Sequence, residues 1–357
     1  MAVSGTPALL GLNNSNKDFS KPRFWGKNQF NCAFPVALAC YAFTKQIDPV
    51  YLTLDDSMKV MKSKISIKDV FGLEPLSPNL YFSFESDFAP WRTMVVNRPE
   101  RIDLVTMDTH RRNECLRPIE IKLTALPDHT TADLTDDKYG SEIVVRSPSI
   151  IYLALSIAKN YQTERTELRN QLGRVYEKKD INWEEFSEAK PHIKGLAEII
   201  DSILKMKIKQ QSPFLLQPIW KTEKKTLHLA DDCFDIFVWS DFAFTRLFID
   251  KMKADREKIS RRMRTVVWLS RMLYDYSVKG KIDFGQVIDT YTYDTKNDKA
   301  FALNGNLTNP YMFCNELTKP RISKYDLKNI ILGGGQKFLS PERRLDAAIL
   351  ANPELFQ

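Results

Sequence analysis

Three residues, Asp103, Glu120 and Lys122, have the types and the spacing to hydrolyse a phosphodiester. They lie in two short apolar runs, Ile102-Asp-Leu-Val-Thr-Met-Asp108 and Arg117-Pro-Ile-Glu-Ile-Lys-Leu123, which flank a turn-like stretch rich in His, Arg and Asn. Side chains of a strand alternate between faces. Ile119, Ile121 and Leu123 therefore share one face of the second run, and Glu120, Lys122 and Thr124 share the other. In the first run Ile102 and Leu104 point one way, and Asp103 points the other with Arg101 and Val105. Two strands paired with their apolar faces on a common core bring Asp103, Glu120 and Lys122 together on the opposite face.

Two carboxylates and an ammonium at the end of a small sheet have a definite chemistry. Mg2+ is commonly held by one or two carboxylates, with waters and substrate phosphates completing its shell. A bound cation acidifies its water and stabilises charge on a transferring phosphoryl group. A neighbouring Lys orients or deprotonates that water, or holds the scissile phosphate. The same residues also fit a solvated sheet face with a surface salt bridge. Acid-x-Lys triplets recur at Glu177-Lys179, Glu188-Lys190, Glu223-Lys225, Asp294-Lys296 and Asp326-Lys328. Only Glu120-Ile121-Lys122 stands in an alternating apolar strand with an acid in the strand before it.

The elements that position these residues follow from the rest of the chain. Its 357 residues suffice for one large domain or two modest ones. Lys plus Arg number 52 against 45 Asp plus Glu, a mildly basic balance that suits a polyanionic partner without requiring one. No apolar run reaches the roughly 18 residues of a membrane span, and no basic-then-apolar leader opens the chain, so neither is expected. The five cysteines are scattered without a CxxC pair, and the four histidines do not cluster with them. Idle thiols are expected, with no zinc site or disulfide framework.

Residues 11–31 interleave Asn, Lys, Arg and aromatics, a composition that fits phosphate and base contacts or an arm wrapped on the domain. A helix is predicted over Pro35–Phe43, with proline in its first turn. Leu80–Glu85 alternates as a strand, and Glu85 is a further carboxylate for a metal or an acid at a strand end facing water. Residues 142–147 read as a strand and 150–160 as a helix capped by Ser147-Pro-Ser. Ile193, Leu196, Ile199, Ile200, Ile203 and Leu204 repeat at helical spacing as a buried stripe. Residues 213–220 and 233–239 are strand-like. Residues 250–276 read as an amphipathic helix with Met263, Val266, Val267 and Leu273 on its apolar stripe. Arg256, Lys258, Arg261, Arg262, Arg264 and Arg271 load its other faces, either as an ordinary surface or as a track for a DNA backbone. Tyr, Thr and Asn between residues 285 and 320 suit base edges or turns. No linker or repeat divides the chain. The expected fold is α/β, a central mixed sheet flanked by helices with an added helical region. One domain is expected over 1–357, with core strands at about 80–147 and a helical, DNA-contacting elaboration at about 148–357.

The Asp103…Glu120-Ile121-Lys122 arrangement resembles the PD-(D/E)xK nuclease superfamily, although Ile102 stands where proline usually precedes the first acid. The stretch Asn13-Asn-Ser-Asn-Lys-Asp-Phe-Ser-Lys-Pro-Arg-Phe-Trp-Gly-Lys-Asn-Gln-Phe-Asn31 with Phe34-Pro-Val-Ala-Leu-Ala39 is similar to the opening of HindVP-type type II restriction endonucleases. The likeness continues through Leu123-Thr-Ala-Leu-Pro-Asp128 and Gly335-Gln-Lys-Phe-Leu-Ser-Pro341. The resemblance implies Mg2+-dependent cleavage of both strands of duplex DNA at a short palindromic site, of the GRCGYC kind, leaving 5′-phosphates. By position, Asp103 and Glu120 would hold the metal, the Ile121 carbonyl would add a ligand, and Lys122 would position or activate the water. It further implies a two-fold homodimer on the palindrome, a separate DNA methyltransferase that protects the host, and a prokaryotic cytoplasmic location. Two other functions fit the same residues: a repair or recombination nuclease that cuts at a structure, and a non-catalytic DNA-binding protein.

Overall fold

Strand pairing between distant parts of the chain builds the platform that carries Asp103 and Glu120. The computed structural model describes residues 12, 14–17, 27–55, 60–99, 101–121, 143–145, 147–178, 180–206, 213–218, 222–223, 226–227, 236–240, 243, 261–293 and 301–303. Among these, a mixed α/β arrangement centres on a seven-stranded sheet of order β2-β1-β10-β7-β5-β4-β3. Its strands are β1 (Val50–Leu54), β2 (Val60–Lys64), β3 (Leu80–Ser86), β4 (Ile102–Asp108), β5 (Glu114–Ile121), β7 (Pro213–Pro218) and β10 (Ile236–Ser240). Pairing is parallel for β1 with β10 and for β5 with β7, and antiparallel elsewhere. Strand β6 (Ile143–Val145) pairs with β11 (Phe301–Leu303) in a separate two-stranded sheet. Strands β8 (Thr222–Glu223) and β9 (Thr226–Leu227) form another.

Apolar side chains cover both faces of the large sheet. On one side Leu104, Ile119, Ile121, Phe82 and Phe84 pack with buried residues of helix α1 (Lys27–Thr44) and helix α2 (Ile67–Phe71). On the other, Val105 and Trp239 join a helical layer made by α3 (Ser147–Asn160), α4 (Arg165–Tyr176), α5 (Phe186–Met206), α6 (Arg261–Lys279) and α7 (Phe284–Thr290). Burial of large side chains such as Tyr152, Tyr161 and Trp268 supplies the driving force, at about 25 cal/mol per Å² of apolar surface removed from water. The stripe on α5 forms as its spacing predicts, with Ile193, Leu196, Ile200, Ile203 and Leu204 buried.

Three expectations change. The helix predicted from Pro35 starts at Lys27 and carries Pro35 inside it. Proline costs an interior helix one hydrogen bond. Here the run from Ala33 to Ala39 is buried against the sheet, and that packing outweighs the lost bond. Helix α6 is an internal strut and offers no basic track on the arginines described. Arg264 is 4% exposed and lies over the Trp268 ring at 4.7 Å. Arg271 bonds Asp275 at 3.1 Å among the rings of Tyr176, Tyr274 and Tyr291. The side chains of Arg261 and Arg262, and all of Arg256 and Lys258, lie outside the described residues. Tyr291 and Tyr293 are buried too, and the Tyr293 hydroxyl donates to the Trp183 carbonyl at 2.8 Å, so neither reaches for a base. Among the described residues no helix is long and apolar enough to cross a membrane. Cys40 and Cys115 are free thiols, and burial pushes the Cys40 thiol up to about 12.

Candidate active site

Strands β4 and β5 form a hairpin closed by residues 109–113. Arg112 and Asn113 both adopt left-handed backbone there, at φ 53° and 60°. The register pairs Leu104 with Ile119 and Val105 with Pro118, before a bulge between Thr106 and Met107. One further step sets Asp103 opposite Glu120. Facing residues of an antiparallel pair have Cα atoms about 5 Å apart. Alternation turns both side chains away from Leu104, Ile119 and Ile121. The carboxylate of Asp103 accepts a hydrogen bond from the Ile121 peptide N–H at 2.9 Å. That bond locks Asp103 against the peptide that joins Glu120 to Ile121.

The surroundings are not those of a washed sheet face. Glu120 is 8% exposed, and its strand continues beside β7 through the Glu120–Leu215 pair. A buried carboxylate is held in place by compensating charge or hydrogen bonds, so Glu120 has a fixed position beside β7. Among the described residues no group of three or more His, Cys, Asp or Glu side chains is disposed to hold a metal ion. Two carboxylates with the Ile121 carbonyl beside them suit a hard ion that takes the rest of its shell from water and phosphate. Lys122 lies outside the described residues, so the structure brings together two of the three residues singled out.

Glu85 occupies the β3 position facing Asp103, between the Phe84–Leu104 and Ser86–Ile102 pairs, but its backbone turns to φ 50°. Its carboxylate bonds Lys17 at 2.9 Å. Lys17 arrives on a segment that seals the outer edge of β3. Ser15 bridges Phe82 in parallel, Phe82 N donates to the Asn14 carbonyl at 3.0 Å, and Asn16 exchanges bonds of 2.8 and 3.0 Å with the Phe84 backbone. The Asn14 amide donates to the Leu80 carbonyl. Asn14 and Asn16, which in sequence fit base contacts, spend these bonds on the sheet edge. Phe19, Phe24 and Trp25 lie outside the described residues.

The connection from β3 to β4 holds a group that the sequence reading passed over. Asp87, just past β3, has a side chain 4% exposed and accepts from Arg92 at 3.1 Å and Arg98 at 2.7 Å. Burial raises its pKa, and the two guanidiniums outweigh that and hold the carboxyl below its ordinary range. The sequence signal was slight: an acid at a strand end with arginines five and eleven residues on. Nearby, the Tyr152 hydroxyl of α3 donates to the Arg101 carbonyl at 2.9 Å, and Tyr152 stacks on Trp91 at 5.6 Å. These contacts fix the backbone two residues before Asp103.

The HindVP restriction endonuclease family model matches residues 25–356. Over 352 residues the chain is 43% identical to "Type II restriction enzyme HgiDI" of Herpetosiphon aurantiacus, covering 98% of this chain and 97% of the relative. Over 353 residues it is 42% identical to "Probable type II restriction enzyme HindVP" of Haemophilus influenzae, covering 98% and 95%. No solved structure matches the chain. Identity at that level over nearly the whole length makes this chain a member of the HindVP restriction endonuclease family and a type II restriction enzyme.

Proposed function

We propose that the chain is a Mg2+-dependent endonuclease with a PD-(D/E)xK core. It hydrolyses both strands of duplex DNA at a short palindromic site of the GRCGYC kind and leaves 5′-phosphates. The observation that supports this most is the bond from the Ile121 N–H to the Asp103 carboxylate, with Glu120 in the facing register position. Asp103, Glu120 and the Ile121 carbonyl would hold the ion. When bound, Mg2+ supplies a more acidic water and a counter-charge for the scissile phosphate. Asp103 is pre-set by a main-chain donor, so it does not have to be reorganised during the reaction. Lys122 orients the attacking water or takes its proton. The water oxygen bonds to phosphorus as the P–O3′ bond breaks, and the 3′-oxygen leaves with a proton. The chain acts as one domain, in the prokaryotic cytoplasm, as a two-fold homodimer on the palindrome, with a separate methyltransferase protecting the host's sites.

The substitutions Asp103→Asn and Glu120→Gln test this reading. Each should lower the cleavage rate with Mg2+ by at least about a hundredfold while thermal stability and DNA binding in chelator persist. Wild-type rates in either variant would remove that residue from the site.

A further inference from the structure

The β3–β4 connection presents two arginines at the end of the sheet where Asp103 lies. We infer that Arg92 and Arg98, tethered together by the buried carboxylate of Asp87, clamp one backbone phosphate of the bound DNA beside the scissile bond. This rests on the endonuclease reading above and adds a binding site to it.

The placement follows from register. Ser86 pairs with Ile102, so Asp87 directly follows the β3 residue that faces the neighbour of Asp103. The connection is held at its far side by helical-layer residues. Val95 bridges Ile282, the Val96 N–H donates to the Ile282 carbonyl at 3.0 Å, and the Ile282 N–H donates to the Met94 carbonyl at 2.8 Å. Phe88 and Trp91 pack edge to face at 5.2 Å beneath it. The two arginines therefore stand on a fixed base.

Their charge points outward. Asp87 is 4% exposed, whereas the side chains of Arg92 and Arg98 are 61% and 66% exposed. Both arginines bond the same oxygen, Oδ2, so their guanidiniums lie close together, while Oδ1 is buried without a hydrogen-bond partner among the described residues. One carboxylate against two guanidiniums leaves a net positive charge at that point. The internal arginines of α6 contrast with this pair, since aromatic rings and Asp275 surround theirs. A base edge is read by one extended, bidentate guanidinium. Arg98 turns its Nε and Nη2 toward Asp87, and Arg92 its Nη2, so the remaining N–H groups of the pair suit the clustered oxygens of one phosphate.

The experiment measures binding of the full chain, in chelator, to a duplex cut by the wild type and to one that is not, across a salt series. In R92Q/R98Q both duplexes should lose affinity by the same factor, and the slope of log K against log salt should fall by about 0.9, one phosphate's worth. D87N keeps both charges and should keep the slope while the cleavage rate drops. A purely structural cluster would lower the melting temperature and leave the slope alone, which overturns the inference. So would loss of affinity confined to the cognate duplex, the mark of a base reader. A second measurement does not depend on the double variant folding. Single neutral methylphosphonates are placed along the duplex, and one near the cut should weaken the wild type and have no further effect on R98Q. If no methylphosphonate near the cut weakens the wild type, there is no clamp. A wild type that cuts no DNA with Mg2+ overturns the endonuclease reading instead, before any variant is made.

Discussion

A carboxylate held by a main-chain N–H cannot swing away from the strand that holds it, and this gives Asp103 its fixed place beside Glu120. At the residue scale the site rests on that bond and on the facing register of the two acids. Lys122→Ala should reduce cleavage by about 10²- to 10⁴-fold, the usual worth of a positioned acid or base, while cognate binding is retained in a filter or mobility assay. Retained cleavage would take Lys122 out of the mechanism. Asp87 gives a prediction in pH. Its folded pKa lies below the unfolded one, so its stabilisation is complete above the ordinary carboxylate value near about 3.9 and is lost as pH falls through the lower, folded value. Thermal melts should separate wild type from D87N at pH 7 and converge in strong acid. A gap that stays constant would contradict the pairing with Arg92 and Arg98. The pairing of the two runs that carry Asp103 and Glu120 was legible, because they are alternating segments joined by one short turn. The uses of Asn16, Arg264 and Arg271 were not, since each partner lies far off in sequence or in a packed helical layer whose arrangement no spacing encodes.

At the scale of elements, the site hangs between a hairpin, a pinned connection and α3. Turn residues control how closely α2 approaches β5. Gly72 ends α2 at φ 87°, and a Cβ there would come within 2.9 Å of the Leu116 Cβ. Gly72→Ala should destabilise the fold by about 1–3 kcal/mol through backbone strain and that contact, read as a lower denaturant midpoint. An unchanged midpoint would mean that the turn relaxes. Tyr152→Phe removes the bond to the Arg101 carbonyl and should cost about 1 kcal/mol. It should also slow cleavage beyond what stability explains, because it loosens the backbone leading into Asp103. Equal rates under conditions where both proteins are folded would limit Tyr152 to packing. Element types were readable for β3, β4, β5 and α5, whose periodicity is strong. The reach of α1 back to Lys27 was not, because proline is an ordinary stop signal and only burial against the sheet overrides it.

For the whole molecule, sheet order is the feature furthest from the sequence. Parallel pairing of β5 with β7 joins residues 120–121 to 215–216, across a segment whose described residues include the helices α3, α4 and α5. Local spacing carries no signal for such a contact, whereas the α/β class follows from the mix of alternating and helical periods. The family match covers residues 25–356, so the chain is related as a whole to proteins named as type II restriction enzymes. The most direct test is to incubate the wild-type protein with unmethylated phage and plasmid DNA, with Mg2+ and with chelator, and to sequence the ends. Discrete fragments that appear only with Mg2+, with 5′-phosphates and one palindrome at every end, are the predicted result. Smeared or structure-directed nicking, or no cleavage with any divalent ion, would contradict it.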